Sequence, residues 1–136
     1  MNENDVTYKM IKLMNSVSGC HARKRHGGAF TQGDPDIAGV VLGRAFFCEV
    51  KVVGGELTKL QAVMLDKWKL AGADTSVAVY NYGARQLRII QADGDWADLA
   101  GLVDKIEGGR IIALDHNGIF NWVRGIPDHL ARQGDS

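Results

Sequence analysis

Two carboxylates and one ammonium, set at fixed intervals, carry the chemistry that this sequence can do. Glu49 and Lys51 lie two residues apart in the run AFFCEVKVV, whose aromatic and β-branched content reads as a strand. Side chains alternate along a strand, so Glu49 and Lys51 share one face while Phe46, Cys48 and Val50 take the other. Asp36 lies 13 positions before Glu49, near the start of a second strand-like run, PDIAGVVL. Gly43 and Arg44 between the runs predict a type II′ hairpin with Leu42 paired to Ala45. That register sets Asp36 opposite Lys51 and Ala38 opposite Glu49, and facing residues share a side of the sheet. Three charges then converge on one face, with Ile37 and Val41 joining the apolar set.

Carboxylates brought together inside a fold repel each other and lose solvation unless a cation sits between them. Mg²⁺ suits the position, because it takes oxygen ligands, keeps several waters, and often uses one or two carboxylates plus phosphate oxygens of the substrate. Asp36 and Glu49 supply that set. Lys51 can hold the attacking water and offset charge that develops on a phosphate, so the expected reaction is phosphodiester hydrolysis. A Glu-x-Lys triplet alone on a strand is ordinarily an exposed charged face; the pairing with Asp36 changes that reading.

Several elements must position these residues. Val6, Met10, Leu13, Met14 and Val17 recur at helical spacing and predict a helix from Val6 to Val17, ended near Gly19. Cys20 to His26 reads as a strand carrying Arg23, Lys24 and Arg25, followed by a loop with Gly27, Gly28, Gly33 and Pro35. A helix is expected from Thr58 to Gly72, with Leu60, Met64, Leu65, Trp68 and Ala71 inward. Thr75 to Tyr80 follows as a strand parallel to AFFCEVKVV. The last third predicts a strand at Gln86 to Gln91, a helix from Asp95 to Ile106, and a hairpin of RIIAL and IFNWV around Asn117-Gly118. The order gives an α/β layered fold.

At 136 residues the chain reads as one domain. Its hydrophobic fraction of 46% and charged fraction of 24% are those of a packed globular protein. A formal net charge of +0 excludes coating of nucleic acid by bulk positive charge, so phosphate binding would need a local patch. Cys20 and Cys48 lack CxxC spacing, and His21, His26, His116 and His129 form no zinc motif. With no secretory leader read at the start, a cytoplasmic location with reduced thiols is expected. No apolar run is long enough for a membrane span.

Pro35-Asp36 followed by Glu49-Val50-Lys51 resembles the PD-(D/E)xK nuclease superfamily. Gly33-Asp34-Pro35-Asp36-Ile37, Glu49-Val50-Lys51, Gly55, Leu57-Thr58 and Gln61, ahead of a helix ending at Gly72, are similar to the VRR-NUC branch, which includes small stand-alone phage and prophage proteins. The resemblance spans residues 1–82. It implies a restriction-endonuclease-like mixed sheet flanked by helices, here with an additional C-terminal helix and β-hairpin. It also implies a Mg²⁺- or Mn²⁺-dependent DNA endonuclease, often selective for branched or flapped DNA, often a homodimer, in a bacterial or phage-infected cytosol. In such proteins the carbonyl between Glu and Lys, that of Val50, can also ligate metal. An acid on the first helix, for which Glu3 is the candidate, commonly completes the site. Gln61 matches the family's active-site glutamine.

Blander readings stand beside these. Thr58-x-x-Gln61 is also a capping box, and both roles can hold together. Arg23, Lys24 and Arg25, with Thr58 at the helix start, are candidates for contact with DNA; the alternative for the basic run is a solvated edge strand. Asp34 reads first as a turn former before Pro35, and an acid behind the metal is the alternative. Trp68 and Trp96 read as core, and so do Phe120 and Trp122, for which a dimer contact is the alternative. The rival functions are a non-catalytic DNA-binding or assembly module on the same fold and an endonuclease for structured RNA.

Overall fold

A computed structural model of the chain describes residues 1–25 and 32–129. It begins with α1 (Glu3–Asn15), followed by β1 (Cys20–Lys24), β2 (Ile37–Val41), β3 (Arg44–Val52) and the short β4 (Glu56–Leu57). Then come α2 (Lys59–Leu70), β5 (Asp74–Asn81) and β6 (Gln86–Ile90). Two 3₁₀ turns, Trp96–Leu99 and Val103–Lys105, flank β7 (Gly101–Leu102), and β8 (Arg110–Ala113) and α3 (His116–Val123) follow. Six strands form one mixed sheet in the order β1-β2-β3-β5-β6-β8, with β4 and β7 paired separately. Within the large sheet only β3 and β5 run parallel, joined by α2 as the crossover. The mixed sheet with flanking helices is the α/β layout expected from the sequence.

The alternation of side chains sorts β3 cleanly. Phe46, Cys48 and Val50 join Ile37, Val41, Val6, Met10, Met14, Ile119 and Trp122 in one core beneath α1 and α3. On the opposite face, Leu57, Ala62, Leu65, Val77, Val79 and Trp96 make a second core against α2 and the first 3₁₀ turn. Burial of each such side chain contributes roughly 1.5–3 kcal/mol, so both faces of the central strands are held. Glu49 and Lys51 belong to the α2 face by parity and lie where the second core ends.

The structure corrects the hairpin. Val41 pairs with Arg44 and Ile37 with Cys48, so the two turn residues are Leu42 and Gly43, not Gly43 and Arg44. Both have positive φ, 47° and 81°, as a type I′ turn requires. Leucine tolerates that backbone because its N–H bonds the Gly19 carbonyl at 2.9 Å and its side chain lies over Gly19. The register therefore moves by two residues: Ala38 faces Phe47, and Asp36, one step beyond the ladder, lies beside Glu49 and not beside Lys51. A shift of two preserves the face of every side chain.

Other expectations also change. α1 starts at Glu3 because Asn2 caps it: Asp5 N–H donates to Asn2 Oδ1 at 2.8 Å and Asn2 N–H to Asp5 Oδ2 at 3.1 Å. β1 ends at Lys24; His26, Gly27 and Gly28 lie outside the described residues. Leu60 and Ala71 are exposed, while Ala62 takes an inward place on α2. No helix spans Asp95 to Ile106: Gly101 has φ +127° and β7 pairs with β4, leaving two 3₁₀ turns. Asp66 accepts the N–H groups of Trp96 and Ala97, fixing the first of them. The expected last hairpin is β8 followed by α3, because Asp115 accepts from Gly118 N–H at 2.8 Å and starts a helix there. Ile119, Trp122, Val123 and Ile126 then fall on one buried stripe.

Candidate metal centre

The β2–β3 ladder ends one residue after Asp36, and the site is built in the gap it leaves. Asp36 carbonyl accepts from Arg25 N–H at 2.7 Å, and Asp36 Oδ2 accepts from Val50 N–H at 2.9 Å. The N–H and C=O of one strand residue lie on the same edge, so the Val50 carbonyl faces Asp36 as well. Glu49 is 3% exposed, and its carboxyl is pushed up to about 10. Burial is the first cause; Asp36, within hydrogen-bonding reach and negatively charged, adds to it, Glu3 adds more, and Lys51 opposes them. Glu49 Oε2 is buried without a hydrogen-bond partner among the described residues. Lys51 is 7% exposed, and its ammonium makes no hydrogen bond or ion pair with another described residue.

Two neighbouring carboxylates, one with a buried oxygen that no described residue bonds, form a pair that a shared proton or a cation must relieve. The donor set fits a hard divalent ion: Asp36, Glu49 and the Val50 carbonyl supply oxygen only, and Mg²⁺ held by so few protein ligands would draw the rest from water and substrate. Among the described residues no three His, Cys, Asp or Glu side chains form a closed metal-binding group. Glu3 stands one step further out. A Cβ built on Gly55 would lie 3.7 Å from Glu3 Oε2 and 3.7 Å from Lys51 Cδ, and 2.9 Å from the Val52 carbonyl. Gly55 thus lets the start of α1 approach the end of β3.

That turn is held from the last third of the chain. Asp104 accepts from Gly54 N–H at 3.1 Å, and Val103 N–H donates to the Gly55 carbonyl at 3.0 Å. Asp104 and Gly54 were not singled out from the sequence, where nothing links positions so far apart.

At the start of α2 the capping box is formed. Gln61 N–H donates to Thr58 Oγ1 at 3.1 Å, and Thr58 N–H to Gln61 Oε1 at 3.0 Å. Gln61 Oε1 is thus engaged by the cap, its amide N–H groups face other partners, and among the described residues no hydrogen bond joins Gln61 to Glu49.

The basic run is divided between two faces. Lys24 hydrogen-bonds Asn4 and lies 4.7 Å over the Tyr8 ring, on the α1 side. Arg23, by strand alternation, points to the α2 side, exposed and beside His21. Arg25 shares that side and is engaged by Asp34 Oδ2 at 2.9 Å and by the Trp68 ring at 5.7 Å. Asp34 also accepts from Trp68 Nε1 at 3.4 Å, so it does more than form a turn. Trp68 stacks on Phe47 with centroids 4.0 Å apart. Sequence reasoning missed the ties of Asp34; its only signal was an acid two residues before Asp36.

A second buried carboxylate, Asp74, shares the face of Ala78 and Tyr80 and is separate from this centre. Its Oδ1 accepts from Gln91 at 2.7 Å and meets His129 Nδ1 at 3.0 Å; burial raises its pKa, against these two partners.

No protein-family model matches the chain, and no curated protein matches it either. Among solved structures, it is similar to a Holliday junction resolvase from Archaeoglobus fulgidus, an archaeal hyperthermophile. The two are 20% identical, with a TM-score of 0.48, over 74% of this chain and 91% of the resolvase. Among the described residues no helix is long and apolar enough to cross a membrane.

Proposed function

We propose that this chain is a divalent-metal-dependent nuclease that hydrolyses phosphodiester bonds in DNA, acting on branched or flapped substrates, as its resemblance to VRR-NUC proteins implies. The observation that carries the reading is the buried Glu49 carboxyl beside Asp36, with one oxygen that has no hydrogen-bond partner among the described residues and with the buried Lys51 ammonium on the same face. Such an arrangement opposes folding unless it serves an ion and an anionic substrate.

Asp36 and Glu49 would hold Mg²⁺ or Mn²⁺, with the Val50 carbonyl as a third oxygen and Glu3 as the acid that would complete the site. When bound, the ion supplies charge neutralisation at the phosphate and lowers the pKa of water. Lys51 donates hydrogen bonds to the attacking water and to a non-bridging phosphate oxygen, where negative charge grows in the transition state. Val50 N–H keeps Asp36 oriented, and the amide N–H groups of Gln61 at the start of α2 are the uncharged donors assigned to the site. Arg23, exposed on the same side of the sheet, is the remaining phosphate contact of the basic run. Homodimerisation belongs to the same proposal.

The test is cleavage of end-labelled linear, flapped and four-way DNA with Mg²⁺ or Mn²⁺, beside chelator and Glu49→Gln controls. Metal-dependent nicking of branched DNA, lost in the variant, is expected. Binding without cleavage by the unmodified protein would instead make it a DNA-binding module, and preference for structured RNA would change the substrate.

A further inference from the structure

We propose that Asp34 is a positioning residue that, through Arg25 and Trp68, locks the backbone of Asp36 so that its carboxylate meets Glu49. The inference rests on the metal-centre reading and assigns Arg25 to building the centre, not to contacting phosphate.

Asp36 precedes the first ladder residue of β2, so β3 does not hold its backbone. The bond that fixes it comes from Arg25 N–H, at 2.7 Å. Arg25 is itself anchored by Asp34 Oδ2 at 2.9 Å, with the Asp34 side chain 10% and the Arg25 side chain 25% exposed. Asp34 Oδ1 accepts from the indole N–H of Trp68 at 3.4 Å, and the Trp68 ring meets both the Arg25 guanidinium at 5.7 Å and the Phe47 ring at 4.0 Å. Phe47 lies two residues before Glu49 on the same face of β3. One carboxylate thus ties the strand that carries Arg25, the helix that carries Trp68 and the segment that carries Asp36. Gly33 completes the arrangement: with φ +84°, it brings this segment against Leu60, where a Cβ would stand 2.7 Å from Leu60 Cγ.

Groups behind a metal ligand set its orientation, and their loss typically lowers metal affinity or activity by about 10- to 100-fold. Asp34→Asn keeps the size and an acceptor for Trp68 but removes the charge that holds Arg25. Arg25→Ala removes the other partner. The experiment titrates Mn²⁺ into the full chain by electron paramagnetic resonance, with near-ultraviolet circular dichroism to show that the fold is kept. Each single variant should lose about tenfold or more in Mn²⁺ affinity. The double variant should be no worse than the weaker single one, because both act through one chain of contacts. Trp68→Phe, which keeps the stacking and loses only the N–H, should fall between the unmodified protein and Asp34→Asn.

Unchanged Mn²⁺ affinity in folded Asp34→Asn and Arg25→Ala would overturn the proposal while leaving the metal centre standing. So would a weaker, less salt-dependent binding of DNA by Arg25→Ala with normal Mn²⁺ affinity, which is the mark of a phosphate contact. Failure of the unmodified protein to bind Mn²⁺ would remove both readings.

Discussion

Glu49 is the residue whose placement needs explaining. Its carboxyl is buried beside another carboxylate and is raised to about 10, so at neutral pH without a cation it holds a proton that the unfolded chain releases near the ordinary value of 4.5. This contribution to stability is full below about pH 4.5 and is lost as pH rises towards 10. The melting temperature of the protein in chelator should therefore fall between about pH 5 and about pH 9, and Glu49→Gln should flatten that slope. A divalent ion held by these carboxylates, as proposed, would take the place of the proton, so Mg²⁺ or Mn²⁺ should bind more tightly as pH rises and restore the lost stability. A melting temperature independent of pH in the unmodified protein would contradict the burial argument. Lys51→Ala should abolish turnover while sparing metal binding, because an ammonium is not a ligand; Asp36→Asn should weaken both. Calorimetry with Mg²⁺ checks the pair, and lost metal affinity in Lys51→Ala would overturn the assignment. That Glu49, Lys51 and Asp36 share a face was legible in the sequence, because side chains alternate with a period of two and the register moved by two residues, an even step that keeps every face. The ties of Asp34 were not, since they join residues 9 and 34 positions away, on β1's end and on α2.

Among the elements, α2 begins in a capping box formed by the two residues that also match the resemblance, Thr58 and Gln61. If capping is the main work of Thr58, Thr58→Ala lowers stability by about 1 kcal/mol and leaves DNA affinity nearly unchanged. Urea unfolding and DNA titration of the same variant decide the matter; normal stability with weakened DNA binding would return Thr58 to the interface. The β2–β3 hairpin shows where local signals compete. Gly43 suggested a type II′ turn, yet the Leu42 N–H bond to Gly19 and the packing of its side chain there shift the turn by one residue. α3 illustrates the same difficulty. Asn117-Gly118 has the composition of a hairpin turn, but Asp115 caps a helix across it, and the spacing of Ile119, Trp122, Val123 and Ile126 was the signal to follow. Glycine at 101 and the pairing of β7 with β4 likewise divide a segment whose apolar spacing suggested one helix.

At the scale of the molecule, the mixed sheet places α1 and α3 on one face and α2 with the 3₁₀ turns on the other. The centre lies on the α2 face of β3, in the gap where β2 stops pairing, near the start of α1. Its surroundings come from every third of the chain: Glu3 from the first helix, Asp36 to Lys51 from the hairpin, and Asp104 from beyond residue 100, bracing the Gly54–Gly55 turn. Helix, antiparallel strands, helix and parallel strand could be read from period and turn chemistry, because each repeats a local pattern. The bracing could not, because it depends on pairs of residues brought together only by the closed sheet. The most direct measurement is anomalous diffraction at the manganese edge from crystals soaked in Mn²⁺. A single strong peak is expected between the Asp36 and Glu49 carboxylates, within roughly 2.2 Å of an oxygen from each and near the Val50 carbonyl. Crystals that take up manganese elsewhere, with these two carboxylates still sharing a proton, would contradict the metal centre.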